Sequence, residues 1–265
     1  MTDPHPPLIT DPALAALDGV RHAFFTRQGG VSRDVYESLN VGYGSGDGRD
    51  SIAENRRRAM IAFGLPPAAL NTVYQIHGTG VALADRNWDP ADSPRADAQV
   101  TDRPGIAIGI LTADCAPVLL AGRKVDGGPV IGAAHAGWKG AVAGVLAETV
   151  AAMESLGAAR ETIRAAIGPC IGQDSYEVGR EFPTPFLDQD PANKRFFRPG
   201  RRDGHSMFDV AGYVESRLAA LSIAAVSRID ADTCAEPDHF FSYRRTTLAG
   251  EPDYGRELSA IVIAE

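Results

Sequence analysis

Apolar and polar positions along the chain follow two periods. Runs at residues 21–27, 73–84, 106–111, 118–120, 130–135, 163–167, 226–229 and 258–263 predict β-strands. Runs at helical spacing beginning at Ser51, over 138–156 and over 208–221 predict helices. Their interleaving predicts a mixed α/β fold. In 106–111, Ile106, Ile108 and Ile110 alternate with Ala107, Gly109 and Leu111, so both strand faces are apolar and the core needs more than two layers. In 73–84, alternation puts Val73, Gln75, His77, Thr79 and Val81 on one face. The helix at Ser51 opens with the capping-box pattern Ser51 and Glu54. Its 100° step brings Arg56 into the apolar stripe of Ile52, Met60 and Phe63 and leaves Arg58 on the far side. The helix over 138–156 aligns Val142, Val145, Leu146, Val150 and Met153 and stops at Gly157, and that over 208–221 has Asp209 or Ser206 at its cap. Residues 40–50 read as a glycine-rich loop and 182–203 as a long excursion or surface cover. With no repeat and no compositional break, the chain is expected to be a single domain over 1–265, with 1–18 a loosely ordered N-terminal segment.

Composition narrows the partners. A chain of 265 residues with 44% hydrophobic and 23% charged residues can bury a large core. Its longest apolar runs fall far short of the ~20 residues of a membrane span, and Met1 to His5 lacks a basic-then-apolar leader. No membrane partner is expected, and the cytoplasm is the expected compartment. Lys plus Arg number 26 against 34 Asp plus Glu, a net charge of -8. That balance argues against nucleic acid, and an anionic substrate would need a local cationic pocket. Cys115, Cys170 and Cys234 are few, odd in number and widely spaced, which favours thiols or metal ligands over disulfides.

The candidate chemistry gathers at predicted strand ends. His77, Cys115 and His135 supply two imidazoles and a thiolate, a set suited to zinc with one position open to substrate or water. They lie 38 and 20 residues apart, which is no finger spacing, and a Cys/His nucleophilic pair would use the same side chains. The junction at Gly137, Trp138, Lys139 and Gly140 leaves room for backbone amides to approach an anion, or serves tight helix–sheet packing. Arg56, charged within an apolar stripe, needs a carboxylate, carbonyls or a bound anion. Phe240 and Phe241 followed by Arg244 and Arg245 offer stacking walls and anion contacts, as would any strand beside a turn.

In order, FFTRQGGVS, SLN, ENR, QIHG, TADCAPVLLA, AAHAGWKG, IGPCIG, SYEVG and FFSYRR resemble the family named for multicopper polyphenol oxidase or laccase domains, whose better-supported activity is purine nucleoside phosphorolysis. The resemblance runs from about Phe24 to Ile263. It implies a layered α/β/β/α domain with mixed β-sheets and a zinc site of His77, Cys115 and His135. It also implies a pocket for purine nucleoside and phosphate lined by Asn40 and Arg56. For phosphorolysis the Gly137 junction is a further candidate for the anion and Arg244 a further contact, while Asp114 is a candidate proton carrier or partner to a ligand, or a carboxylate that merely caps or pairs with a neighbouring arginine. Two departures bear on the C-terminal contacts: Ala235 follows Cys234 where the family tends to have Thr, and Tyr254 precedes Gly255 and Arg256 where Thr is usual. Six histidines are too few for the copper clusters of a true laccase, although two His and a Cys can accept Cu2+ and support phenol oxidation as a side activity. The expected activity is therefore a zinc-dependent purine nucleoside phosphorylase with adenosine deamination as a related reaction. The alternatives are a Cys/His amide hydrolase editing a peptidoglycan precursor and a non-catalytic protein with a structural zinc.

Overall fold

A computed structural model describes residues 6–264. The early strands are β1 (Leu8–Ile9), β2 (Val20–Phe25), β3 (Leu70–Thr72), β4 (Val81–Leu83) and β5 (Ala98–Thr101). The central ones are β6 (Ala107–Thr112), β7 (Ala116–Arg123), β8 (Pro129–Ala136) and β9 (Arg164–Ile167). The late ones are β10 (Glu177–Val178), β11 (Phe197–Pro199), β12 (Ser206–Phe208), β13 (Ala225–Arg228) and β14 (Glu257–Ile263). They form a five-stranded sheet ordered β1-β2-β14-β6-β3, a six-stranded sheet ordered β13-β9-β7-β8-β5-β4, and a small sheet β10-β12-β11. Both large sheets are mixed: β3 runs parallel to β6 and β9 parallel to β13, while β7 and β8 pair antiparallel.

The layers are those expected. Ile108, Ile110 and Ile261 of the first sheet meet Leu119, Ile131 and Ala166 of the second in a core between the sheets. The outer face of the five-stranded sheet, with Ala107, Leu258 and Ala260, packs on Ala59, Met60 and Phe63 at the helix Arg49–Ala62. The outer face of the six-stranded sheet, with Val118 and Leu120, packs on the helices Val145–Ser155 and Val210–Ala219. Strand β6 is covered on both faces, as its doubly apolar sequence requires.

Several local expectations fail for identifiable reasons. The helix begins at Arg49, its N-cap is Gly48, and Glu54 reaches Arg57 and Arg58 at 2.6 and 2.8 Å, so the Ser51–Glu54 capping box does not form. The helix over 138–156 is two helices, Trp138–Ala143 and Val145–Ser155, because Gly144 takes φ 106°, outside the helical region. The single strand over 73–84 is interrupted around His77, which has φ 59° and no strand partner. Segment 182–203 is more than a cover: the helix Thr184–Gln189 brings Phe186 onto Phe208 and Tyr213, with ring centroids 4.8 and 4.9 Å apart. The N-terminal segment is held from Leu8, which pairs with Phe25, and Leu14 is fully buried; residues 1–5 lie outside the described residues. Asp209 caps the helix Val210–Ala219, while Ser206 belongs to β12. No helix among the described residues is long and apolar enough to cross a membrane.

Candidate metal centre

Strand pairing brings the thiol and one imidazole together. In the β7–β8 ladder Ala116 faces Ala136 and Pro117 faces His135, so Cys115, one residue before β7, lies beside the end of β8. The third donor comes from the loop between β3 and β4. One ligand atom each from His77, Cys115 and His135 falls within 4.8 Å of the others, and the two imidazoles meet edge to face with centroids 4.8 Å apart. His135 is buried, Cys115 half-buried and His77 exposed, so the group opens to solvent on one side.

Asp97, fully buried and preceding β5 by one residue, organises this group and was not foreseen from the sequence. Its carboxylate accepts from the backbone N–H of His77 at 2.8 Å and of Gly78 at 2.6 Å, with Ile76 N at 3.2 Å. Converging successive N–H groups on one carboxylate bends the chain at His77 and accounts for its positive φ. The same carboxylate lies 2.9 Å from His135 Nδ1. With Nδ1–H donated to Asp97, the lone pair of Nε2 is left for a metal, the arrangement by which a carboxylate orients a ligating histidine. Burial would raise the Asp97 pKa, but the bonds from His135, Gly78 and His77 outweigh it and hold the group ionised. The thiol of Cys115 behaves similarly: burial opposes its charge, yet His135 and His77 pull its pKa down. Burial works against a proton on His135, while the Cys115 thiolate and Asp97 draw its pKa up.

The donors suit a borderline metal such as zinc, and the space among them is kept clear. A Cβ on Gly137 would stand 2.9 Å from Cys115 Sγ, 3.3 Å from His77 Cδ2 and 3.4 Å from His135 Nε2. Any side chain there would intrude among the three ligands. Among the described residues this is the one group of at least three clustered metal-donor side chains.

Two cavities meet at this group. The larger, about 490 Å³, is lined by Cys115, His77, Asp114, Trp138, Tyr176 and Arg244 among others. The smaller, about 290 Å³, shares His77, Cys115 and Tyr254 with it and adds His135, Gln75 and Arg256. Asp114 stands at the cavity wall with φ 89°, and its oxygens accept from Thr233 Oγ1 at 2.7 Å and Arg244 N at 2.6 Å. Burial raises its pKa against those bonds. Arg244 joins the larger cavity, with its guanidinium 5.2 Å from the Tyr176 ring and Nη1 donating to the Glu177 carbonyl at 2.7 Å.

Asn40 and Arg56 line neither cavity. The Asn40 amide donates to Ser45 and Asp47 and accepts from Gly42 N and Arg256 N, which consumes it in shaping loop 40–48. Arg56 is buried as its helical angle required, but it donates to the Val41 carbonyl at 3.2 Å and Thr72 Oγ1 at 3.1 Å and lies 5.2 Å from the Tyr43 ring. Burial without a carboxylate lowers its pKa to about 10. In this structure these two side chains brace loop 40–48 and line neither cavity. Their neighbour Asn55, also buried, ties that loop to the helix through Asn40 O at 2.7 Å, Ser32 Oγ and Val31 N.

The chain and its fold are similar to those of known proteins. Residues 21–264 match the family model described as multi-copper polyphenol oxidoreductase laccase. A Streptomyces griseus protein named purine nucleoside phosphorylase ORF3 is 40% identical over 92% of this chain and 96% of its own. An Escherichia coli protein named purine nucleoside phosphorylase YfiH is 38% identical over 88% of this chain and 91% of its own. The crystal structure of the Neisseria meningitidis protein NMB0706 superposes with a TM-score of 0.85 at 32% identity, covering 98% of this chain and all of the other. The chain belongs to the multi-copper polyphenol oxidoreductase laccase family.

Proposed function

We propose that this protein is a zinc-dependent purine nucleoside phosphorylase, cleaving adenosine, inosine or methylthioadenosine with phosphate to the free base and the ribose 1-phosphate. The observation that carries this reading is the convergence of His77, Cys115 and His135, oriented by Asp97, where two cavities meet, the larger of them aromatic-walled. Relatives named for this activity support it. His77, Cys115 and His135 would hold the zinc, which supplies Lewis-acid charge beside the reacting atoms.

The other residues bind and orient. Trp138, Tyr176, Tyr243 and Tyr254 give the larger cavity π-faces for a purine, and its volume of about 490 Å³ lies in the range of small-molecule sites. In phosphorolysis a phosphate oxygen bonds to the anomeric carbon as the bond from that carbon to the purine nitrogen breaks. The base leaves with the electron pair and takes up a proton. The site must therefore seat an anion next to a sugar that becomes cationic. Both Asp114 oxygens are engaged with Thr233 and Arg244 N, so we assign Asp114 to positioning: it couples the β6–β7 turn, which carries Cys115, to the helix Tyr243–Ala249.

The test is product analysis of zinc-loaded protein incubated with each nucleoside, with and without phosphate, beside Cys115→Ala. Free base formed only with phosphate, and only by the parent, is expected. Ammonia released without phosphate would point to deamination, and phenol oxidation confined to the copper-loaded form to a side activity. Turnover of a peptidoglycan precursor that survives metal stripping would overturn the proposal in favour of a Cys115–His135 amide hydrolase.

A further inference from the structure

The larger cavity does not end at the metal group. It shares Trp138, Lys139, Tyr176 and Arg244 with a neighbouring cavity of about 680 Å³ that extends to Glu181 and Arg202. Three cations line this continuation, but they differ in what they are free to do. Arg202 is committed to Glu177, with Nε 2.8 Å from Oε2, and the Glu177 carboxylate also accepts the backbone N–H of Arg201 and Arg202. Among the described residues, Lys139 and Arg244 have no carboxylate partner within ion-pair distance.

Both unpaired cations are seated on the same aromatic cluster. Lys139 Nζ lies 5.5 Å from the Trp138 ring, and the Arg244 guanidinium 5.2 Å from the Tyr176 ring. Both rings pack on Phe182, with centroids 4.8 and 5.9 Å away. Arg244 is further fixed at its backbone by Asp114 and at Nη1 by the Glu177 carbonyl, leaving its other N–H groups unassigned. In a chain of net charge -8, two held and unneutralised cations at the junction of two cavities form a local anion seat.

We infer that Lys139 and Arg244 together bind the co-substrate phosphate, the role expected of Arg56 and the Gly137 junction. This inference rests on the phosphorylase reading above. Arg56 is instead buried against Val41, Thr72 and Tyr43 and lines neither cavity. Arg256 in the smaller cavity is the remaining cation near the metal group, and its Nη1 donates to the Tyr254 carbonyl at 3.0 Å.

The experiment measures initial rates over phosphate and nucleoside concentration for zinc-loaded parent, Lys139→Ala, Lys139→Arg, Arg244→Ala and Arg256→Ala. Calorimetric titration of inorganic phosphate into the same proteins accompanies it. Each alanine variant at Lys139 or Arg244 should raise the phosphate KM about tenfold or more, as expected for loss of one charge-assisted contact. The nucleoside KM should stay within about twofold of the parent, and Lys139→Arg should restore most of the phosphate affinity. An unchanged phosphate KM in both alanine variants, or a rise confined to Arg256→Ala, overturns the assignment. Lys139 is exposed, so its variants fold irrespective of any loss of packing at Arg244. Should the parent show no phosphorolysis, the phosphorylase reading fails, and calorimetry still decides this one: phosphate heats present in the parent and lost in both alanine variants sustain the seat, and equal heats refute it.

Discussion

Replacing Asp97 with Asn is the sharpest probe of how the metal group is built. The carboxylate offers two acceptor oxygens to donors only: His77 N and His135 Nδ1 at 2.8 and 2.9 Å on Oδ1, and Gly78 N at 2.6 Å on Oδ2. An amide offers one oxygen. If that oxygen keeps His77 and His135, the new NH2 confronts the Gly78 N–H group, donor against donor, in a fully buried position. One charge-assisted bond, worth ~1.5–3 kcal/mol, is lost outright and the rest become neutral ones, so roughly 2–4 kcal/mol of stability should go. For a chain of this size that is a fall in Tm of roughly 4–8 °C. The His77 bend should relax and His135 lose its fixed tautomer, weakening metal binding about 10–100-fold. Thermal unfolding with and without zinc, together with metal content after dialysis against a graded chelator, measures both. An Asp97→Asn protein with parental Tm and parental zinc retention would refute the claim that this carboxylate organises the site.

Other predictions follow from single contacts. Gly137→Ala is allowed by its backbone (φ -63°, ψ 156°), so the fold should hold, but a Cβ 2.9 Å from Cys115 Sγ should displace the thiol beyond the ~0.2 Å tolerance of a metal ligand; metal analysis should show at least about tenfold weaker zinc binding, and parental affinity would contradict the geometry. Gly144→Ala meets no atom within 4 Å, so only the φ of 106° opposes it, and denaturant unfolding should show a loss of about 1–2 kcal/mol with the metal site intact. His22 is kept neutral by burial, its Nε2 accepting from Asp11 N at 2.7 Å, and its pKa is lowered from 6.5. A depressed folded pKa gives stability that is present above 6.5 and lost as pH falls through the lower folded value, so His22→Gln should flatten the acid side of the Tm–pH profile relative to the parent.

What the sequence made legible, and what it did not, divides along a physical line. The layered core was readable because β6 is apolar on both faces, and periodicity reports burial directly. His77, Cys115 and His135 were readable because only a few side-chain types can bind a soft metal, even though their separations say nothing about proximity. Asp97 was not, since in Ala96, Asp97, Ala98 and Gln99 nothing distinguishes a carboxylate that gathers distant N–H groups from one facing water. The packing of Arg56 and Asn40 was hidden for the same reason. Helical geometry aimed Arg56 inward correctly, but an inward cation can be satisfied by a carbonyl, a hydroxyl and an aromatic ring as well as by a ligand, and the 40–48 loop supplies the carbonyl and the ring. Arg244 was an expected pocket contact and Lys139 part of an expected anion-accessible junction, but only the fold shows that both, among the described residues, stand unpaired over one aromatic cluster lining the metal cavity. In this chain, then, residue type marks what can react, while the partners left unmatched after folding mark where a charged substrate can sit.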